Sequence, residues 1–323
     1  MNLRGISIFT ALILLLLTGS ARAGESSAPL SITIATAAVG GTYHTYGAEL
    51  SNLLSRALGI EVAERLTEGP SQNIQLIENG AVQIGFVSMG EALQGWNGTA
   101  AWANGRQFRN MRAIFPMYDT PFTFAVPKQS AIHALSEMAG KRIGVGPKGS
   151  TAGSYIPRFL TTLKVDATLV FGTYEELSAQ LQAGKIDVLA AAAGAPFPAL
   201  TGLEAKKAIR FVSLSSEEIT ALRLAMPELS ASTIAAGRYP SLVKNYATVG
   251  LFNFAVAHKD LPDDLVYAIV DTVFNNQADL IRAAYAATET IPANFTRNTF
   301  LPFHGGAMRY FSSTSTRGIV QGD

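Results

Sequence analysis

Cysteine is absent from the 323 residues, which excludes a disulfide framework, thiol catalysis, thiolate metal sites and a lipid-anchored cysteine. Net charge is lacking too: 25 Lys and Arg stand against 24 Asp and Glu, so no global field attracts nucleic acid or an acidic membrane surface. Charge selectivity must therefore be local. Histidine is scarce and scattered, at His44, His133, His258 and His304. With no H-E-x-x-H and no carboxylate cluster at ligand spacing, neither a metal ion nor a cofactor is expected. The long apolar run "ISIFTALILLLL", Ile6 to Leu17, is shorter than the roughly 20 residues that span a bilayer. Arg4 precedes it and "ARA" follows, ending at Ala23, which is the layout of a cleavable secretory signal over residues 1–23. An uncleaved anchor is the alternative. Export places the mature chain in the periplasm, held together by its core alone. A second apolar stretch, "IDVLAAAAGAPFPAL", carries Asp187, Gly194, Pro196 and Pro198 and reads as a buried strand entering a turn.

One pattern occurs twice along the chain. In the first copy "SITIATA" reads as a strand and "VGGTYH" as a loop. Tyr46, Leu50, Leu53, Leu54, Ala57 and Leu58 then share one helical face that stops at Gly59. "IEVAERL" is a strand, "SQNIQLIENG" a helix with Ser71 as N-cap, and "VQIGFVS" a third strand. The second copy repeats the order with "KRIGVG", the loop "PKGSTAG", a helix striped by Ile156, Phe159, Leu160 and Leu163, then "ATLVFG", "TYEELSAQLQAG" and "IDVLAAA". Thr173 and Glu176 form a capping box in the last of these helices.

Strands separated by helices pair in parallel through right-handed crossovers. The expected fold class is α/β: a two-lobed, periplasmic binding protein-like architecture, each lobe a doubly wound, mainly parallel sheet with flanking helices. Crossing segments at "FTFAVPKQS" and "VGLFNFAVAHKDLPDD" assign residues 24–125 and 251–323 to lobe I and 126–250 to lobe II, joined by a hinge. Ligands of parallel sheets sit beyond the carboxyl ends of the strands, which gathers the loops 39–45, 88–91, 147–153 and 192–196 around one cleft.

Gly144, Gly146 and Gly149 satisfy G-x-G-x-x-G between a strand and a helix, the context of a dinucleotide fingerprint. The acidic residue that should hold the ribose is missing, since Phe171, Gly172 and Thr173 end the next strand. Pro147 stiffens the turn as well. The loop keeps a simpler capacity: Gly149, Ser150, Thr151 and Gly153 offer N–H groups and hydroxyls at a helix start, where an anion is favoured. Pro157 argues that the regular helix begins near Ser154, or that it bends. In the first lobe Gly40 and Gly41 let the backbone approach a ligand, and Thr42, Tyr43 and His44 supply polar groups. Tyr46 lies on the apolar stripe and is assigned to the core.

The stretches "GGTYHTYGAELSNLL", "GPKGSTAG", "AAGAPFPAL" at 192–200, "STIAAGRYP" at 232–240 and "LPFHGGAMRY" at 301–310, in that order, resemble the TAXI-type extracytoplasmic solute receptors of tripartite ATP-independent periplasmic (TRAP) transporters. The likeness runs from about Ser31 to Phe311. It implies a two-lobed binding protein that closes on a small organic acid, of the glutamate or 2-oxoglutarate-like carboxylate kind, and delivers it to the transporter's membrane permease subunits. It implies ligand contacts at Tyr43, Ser88, Ser150, Thr151, Gly194 and Pro196, with Tyr118 and Thr120 as weaker candidates, and the loops that hold them add Gly41, Thr42, His44, Gly149 and Ala152 as expected contacts. The family's usual G-S-G-T-E loop reads Gly149, Ser150, Thr151, Ala152, Gly153, so its Thr hydroxyl and Glu carboxylate are missing and side-chain selection differs. His304 falls in a matching segment and equally suits a structural role. Arg158 is a candidate ligand clamp, with an exposed helix arginine as the preferred reading.

Two other classes remain open. A receptor of the same build could report to a membrane sensor kinase. An exported hydrolase could assemble Ser, His and Asp from distant loops, although Phe86 stands where the nucleophile elbow around Ser88 needs glycine. The expected protein is a monomer, without enzyme activity, that closes by hinge motion.

Overall fold

The computed structural model describes residues 31–320; the expected export signal, residues 1–23, lies outside the described residues. The first βαβαβ unit comprises β1 (Ser31–Ala35), α1 (Thr42–Leu58), β2 (Glu61–Arg65), α2 (Pro70–Glu78) and β3 (Ile84–Ser88). Strand β1 pairs in parallel with both β2 and β3. Helix α3 (Met89–Asn97) and the long strand β4 (Met111–Pro127) follow. The second unit repeats the first with β5 (Arg142–Gly144), α4 (Thr151–Thr162), β6 (Thr168–Val170), α5 (Tyr174–Gln182) and β7 (Val188–Ala192), and β5 pairs in parallel with β6 and β7. The chain continues through α6 (Pro198–Glu204), β8 (Ile209–Phe211), α7 (Ser216–Ala225), β9 (Ser230–Ile234), β10 (Tyr246–His258), α8 (Asp263–Asn275), α9 (Gln277–Ala283) and α10 (Gly305–Val320).

The strand order β2-β1-β3-β10-β4-β7-β5-β6 sets the two parallel trios at opposite ends, each with its first strand in the middle. Between them run β4 and β10, antiparallel to each other and to their outer neighbours, so the sheet is mixed. Strand β4 faces β10 from Met111 to Pro121 and β7 from Phe122 to Ala125. Strand β10 faces β9 from Tyr246 to Gly250 and β3 from Asn253 to Ala257. Both long strands therefore change neighbours part-way along, near Pro121 and near Leu251.

Each half of the sheet is covered on both faces. In the first half the α1 stripe of Tyr46, Leu50 and Leu54 packs with Val266 and Ile269 of α8 on one face, and Ile74, Ile77 and Val87 fill the other. In the second half Phe122, Phe124, Phe159 and Leu222 form one layer, and Tyr174, Leu177, Leu189 and Leu200 the opposite one. Buried apolar surface of this kind is the main favourable contribution to folding. Local signals agree with it. Gly59 ends α1 at φ 65°, and Thr173 with Glu176 forms the capping box of α5.

Two helix starts differ from expectation. Helix α2 is capped by Gly69 with Pro70 in its first turn, so Ser71 is not its N-cap; its hydroxyl is used elsewhere, as described below. Helix α4 begins at Thr151, not near Ser154, and carries Pro157 inside. The N-cap Ser150 accepts from Gly153 N and secures the early start. Pro157 removes one donor in the interior, which leaves the Gly153 carbonyl without its i+4 partner.

Candidate ligand site between the halves of the sheet

Helices α1 and α4 both begin beyond the carboxyl ends of the strands that precede them, at the gap between the halves of the sheet. The N-cap of α1, Gly41, brings no side chain to the first turn, so the N–H groups of that turn are free of side-chain partners. In the second unit the Ser150 hydroxyl donates to Pro147 O (2.7 Å) while accepting from Gly153 N (3.0 Å).

Hydrogen bonds bridge the gap. Thr42 Oγ1 donates to Gly194 O (3.2 Å) and Ser71 Oγ donates to Gly149 O (3.1 Å). Gln94 Nε2 donates to Tyr155 Oη (2.7 Å), which donates to Glu228 Oε1 (3.0 Å). Gly69 stands at φ 136°, and a Cβ there would lie 2.8 Å from Gly149 O. A hydrogen is all that fits at this contact, and glycine supplies the conformation at no steric cost. The halves are in contact around the rim of a cavity.

That cavity has an empty volume of about 490 Å³, part of it open to solvent. Gly41, Thr42 and Tyr43 from the start of α1 line it, with Ser150 and Thr151 from the start of α4. Tyr118 and Thr120 of β4, Tyr174 of α5 and Phe197 complete the polar and aromatic wall. Ala37, Ala38, Ala192 and Ala193 are apolar, and Glu68 is the one carboxylate. None of the lining residues is arginine, lysine or histidine.

The hydrogen-bond inventory inside is one-sided. Tyr43 Oη donates to Asn253 Oδ1 (2.7 Å), and Asn253 Nδ2 donates to Tyr118 O (2.8 Å) and to Thr120 Oγ1. Thr120 thus accepts at its oxygen and keeps its own proton available. The hydroxyls of Tyr118 and Tyr174 are buried and have no partner. Burial, reinforced by Tyr43 and Tyr46 nearby, pushes the Tyr118 phenol well above its ordinary range. Burial pushes Tyr174 up to about 12, opposed in part by the Ser150 hydroxyl and the Ala192 backbone beside its oxygen. Both stay protonated at neutral pH and can donate.

The remaining expected site residues are placed elsewhere. His44 Nδ1 sits 3.0 Å from Glu64 Oε1 and does not line the cavity. Ser88 is fully buried as the N-cap of α3, its hydroxyl accepting from Glu91 N (3.4 Å) and from Thr151 Oγ1 (3.5 Å) of the facing half, and it does not line the cavity. Ala152 is packed in the core of the second half. Gly149 and Gly194 act through their carbonyls, as acceptors of the bonds from Ser71 and Thr42. Pro196 lines a separate surface groove with Thr45 and Tyr285. His304 is buried beside Asp263 (3.2 Å) and accepts from Gly306 N (3.3 Å) at the start of α10, a structural position. Arg158 pairs with Glu228 (3.3 Å). Sequence reasoning did not propose Tyr174, Glu68 or Phe197. Their signal was positional: Glu68 and Tyr174 follow the second strand of each unit, where topology directs the chain to the same gap.

Among the described residues, no group of three or more His, Asp or Glu could hold a metal ion, and no helix is long and apolar enough to cross a membrane.

The architecture is similar to that of MatC from Rhodopseudomonas palustris with bound malate, at TM-score 0.59 and 14% identity over 90% of this chain and 98% of that one. It is also similar to the periplasmic binding protein BugD, at TM-score 0.56 and 11% identity, again over 90% and 98%. The fold is thus that of the two-lobed periplasmic solute-binding proteins. Within that class the chain belongs to the NMT1-like family, which residues 34–313 match.

Proposed function

We propose that this protein is an extracytoplasmic solute receptor of a TRAP-type secondary transporter, of the TAXI kind, which closes on a small organic acid and hands it unchanged to a membrane permease. On this reading residues 1–23 direct export. Residues 24–125 with 251–323 form lobe I, residues 126–250 form lobe II, and the lobes turn about β4 and β10 where those strands change neighbours. The observation that carries the proposal is the pair of buried, unpartnered hydroxyls carried by Tyr118 and Tyr174, two residues that line one cavity. Buried polar groups are normally satisfied, and two orphaned donors beside the uncapped start of α1 suit an acceptor-rich guest. A helix start favours an anion by about 0.3–1 kcal/mol, more where water is excluded.

Gly41, Thr42, Tyr43, Ser150 and Thr151 are proposed as ligand contacts together with Tyr118, Thr120 and Tyr174. The malate held by MatC is an acid of the proposed kind. The resemblance put forward glutamate and 2-oxoglutarate-like acids, and the carboxylate is the part of that expectation these donors support.

Thermal unfolding of the mature protein against a panel of organic acids, amino acids and sugars tests the proposal. Binding to the folded form alone raises the apparent Tm by mass action. One or more acids should raise it and be recovered chemically intact. A response to sugars alone, or turnover of the bound acid, would refute it.

A further inference from the structure

Resting on the receptor reading above, we infer that the solute carries a single carboxylate and no second anionic group. A carboxylate accepts about four hydrogen bonds. The free hydroxyls of Tyr118, Thr120 and Tyr174 and the uncapped first turn of α1 can supply that number. With those donors engaged, the hydroxyl protons of Thr42, Tyr43, Ser150 and Thr151 are already given to Gly194 O, Asn253 Oδ1, Pro147 O and Ser88 Oγ, and Ala37, Ala192, Ala193 and Phe197 add apolar wall. No cation lines the cavity, and its one acidic side chain, Glu68, offers a second carboxylate no opposite charge. A dianion would leave one charge desolvated and uncompensated, which is the costliest arrangement a closed site can impose. A monoanion meets donors at one end and apolar surface at the other.

Titration calorimetry at pH 7.5 on the mature protein compares matched pairs in which a methyl replaces the second carboxylate: 2-oxopentanoate with 2-oxoglutarate, and 2-hydroxybutyrate with malate. Each monocarboxylate should bind on the order of a hundredfold more tightly than its partner, the scale expected for an unpaired buried charge. Equal or tighter binding of the dicarboxylates overturns the inference and leaves the receptor reading standing. Equal binding of 2-oxopentanamide also overturns it, because the charge would then be irrelevant. Failure of all mono- and dicarboxylates of two to six carbons to bind overturns the receptor reading itself, and this inference with it. Two variants separate ligand recognition from structure. Tyr118→Phe should weaken the monocarboxylate by about tenfold or more. Glu68→Lys should narrow the gap between the paired acids by strengthening the dicarboxylate; mere structural damage would weaken both, and an unchanged gap contradicts the electrostatic cause.

Discussion

Replacing Glu91 with glutamine should stabilise the protein at neutral pH and leave it unchanged in acid. Glu91 is fully buried at the start of α3. Its Oε2 accepts from Trp102 Nε1 (3.1 Å), while Oε1 has no partner. Burial pushes the carboxyl up to about 7 from its ordinary 4.5, opposed in part by hydrogen bonding and by Arg158, and reinforced by Glu228. The folded form therefore holds a proton that the unfolded chain has released above pH 4.5. Protonated Glu91 contributes its full stability below pH 4.5, and that contribution is lost as pH rises through about 7. At 1.36 kcal/mol per pH unit the loss reaches about 3 kcal/mol above pH 7, a large share of the 5–15 kcal/mol typical of folded domains. Glutamine keeps the acceptor for Trp102 and cannot ionise. Urea unfolding at pH 5, 6, 7 and 8, with the slope checked for constancy, should show the variant's midpoint drawing ahead of wild type as pH rises. A gap of the same size at every pH would refute the assignment of a buried, neutral Glu91.

Further substitutions test other contacts. Thr42→Val removes the bridge to Gly194 O and should weaken ligand binding about three- to tenfold, the scale of one hydrogen bond, with little change in the ligand-free urea midpoint; unaltered affinity would deny the bridge a role in closure. Phe159→Ala opens a cavity among Phe122, Tyr155 and the α4 stripe and should cost about 3–5 kcal/mol, read from the same unfolding curves. Gly90 packs so that a Cβ would lie 2.1 Å from Tyr155 Oη. Gly90→Ala should therefore hold the halves apart and lower affinity for any solute by tenfold or more, whereas unchanged affinity would mean that this contact yields.

Periodicity and caps make the doubly repeated unit legible in the sequence. The stripe of α1, its stop at Gly59 and the Thr173–Glu176 box are local signals, and local structure followed them. Other features depend on tertiary partners that no window of sequence contains. Ser71 has the composition of an N-cap, yet its hydroxyl is drawn 78 positions along the chain to Gly149, and Pro70 takes the helix start. Ser88 ends a strand as a binding residue would, but it turns inward to cap α3. The free hydroxyls of Tyr118 and Tyr174 could not be separated from core tyrosines by pattern, because both lie on largely buried elements. Their difference from Tyr46, whose hydroxyl meets Thr290 at 3.2 Å, is the absence of a partner.

The absence of cysteine makes the closure claim directly measurable. Spin labels on Leu66→Cys and Phe171→Cys, two exposed positions beyond β2 and β6 at opposite ends of the sheet, report the separation of the halves by pulsed dipolar spectroscopy. Addition of a saturating monocarboxylate should collapse a broad, longer distance distribution to a narrow, shorter one. An identical distribution with and without a solute known to be bound would contradict capture by closure.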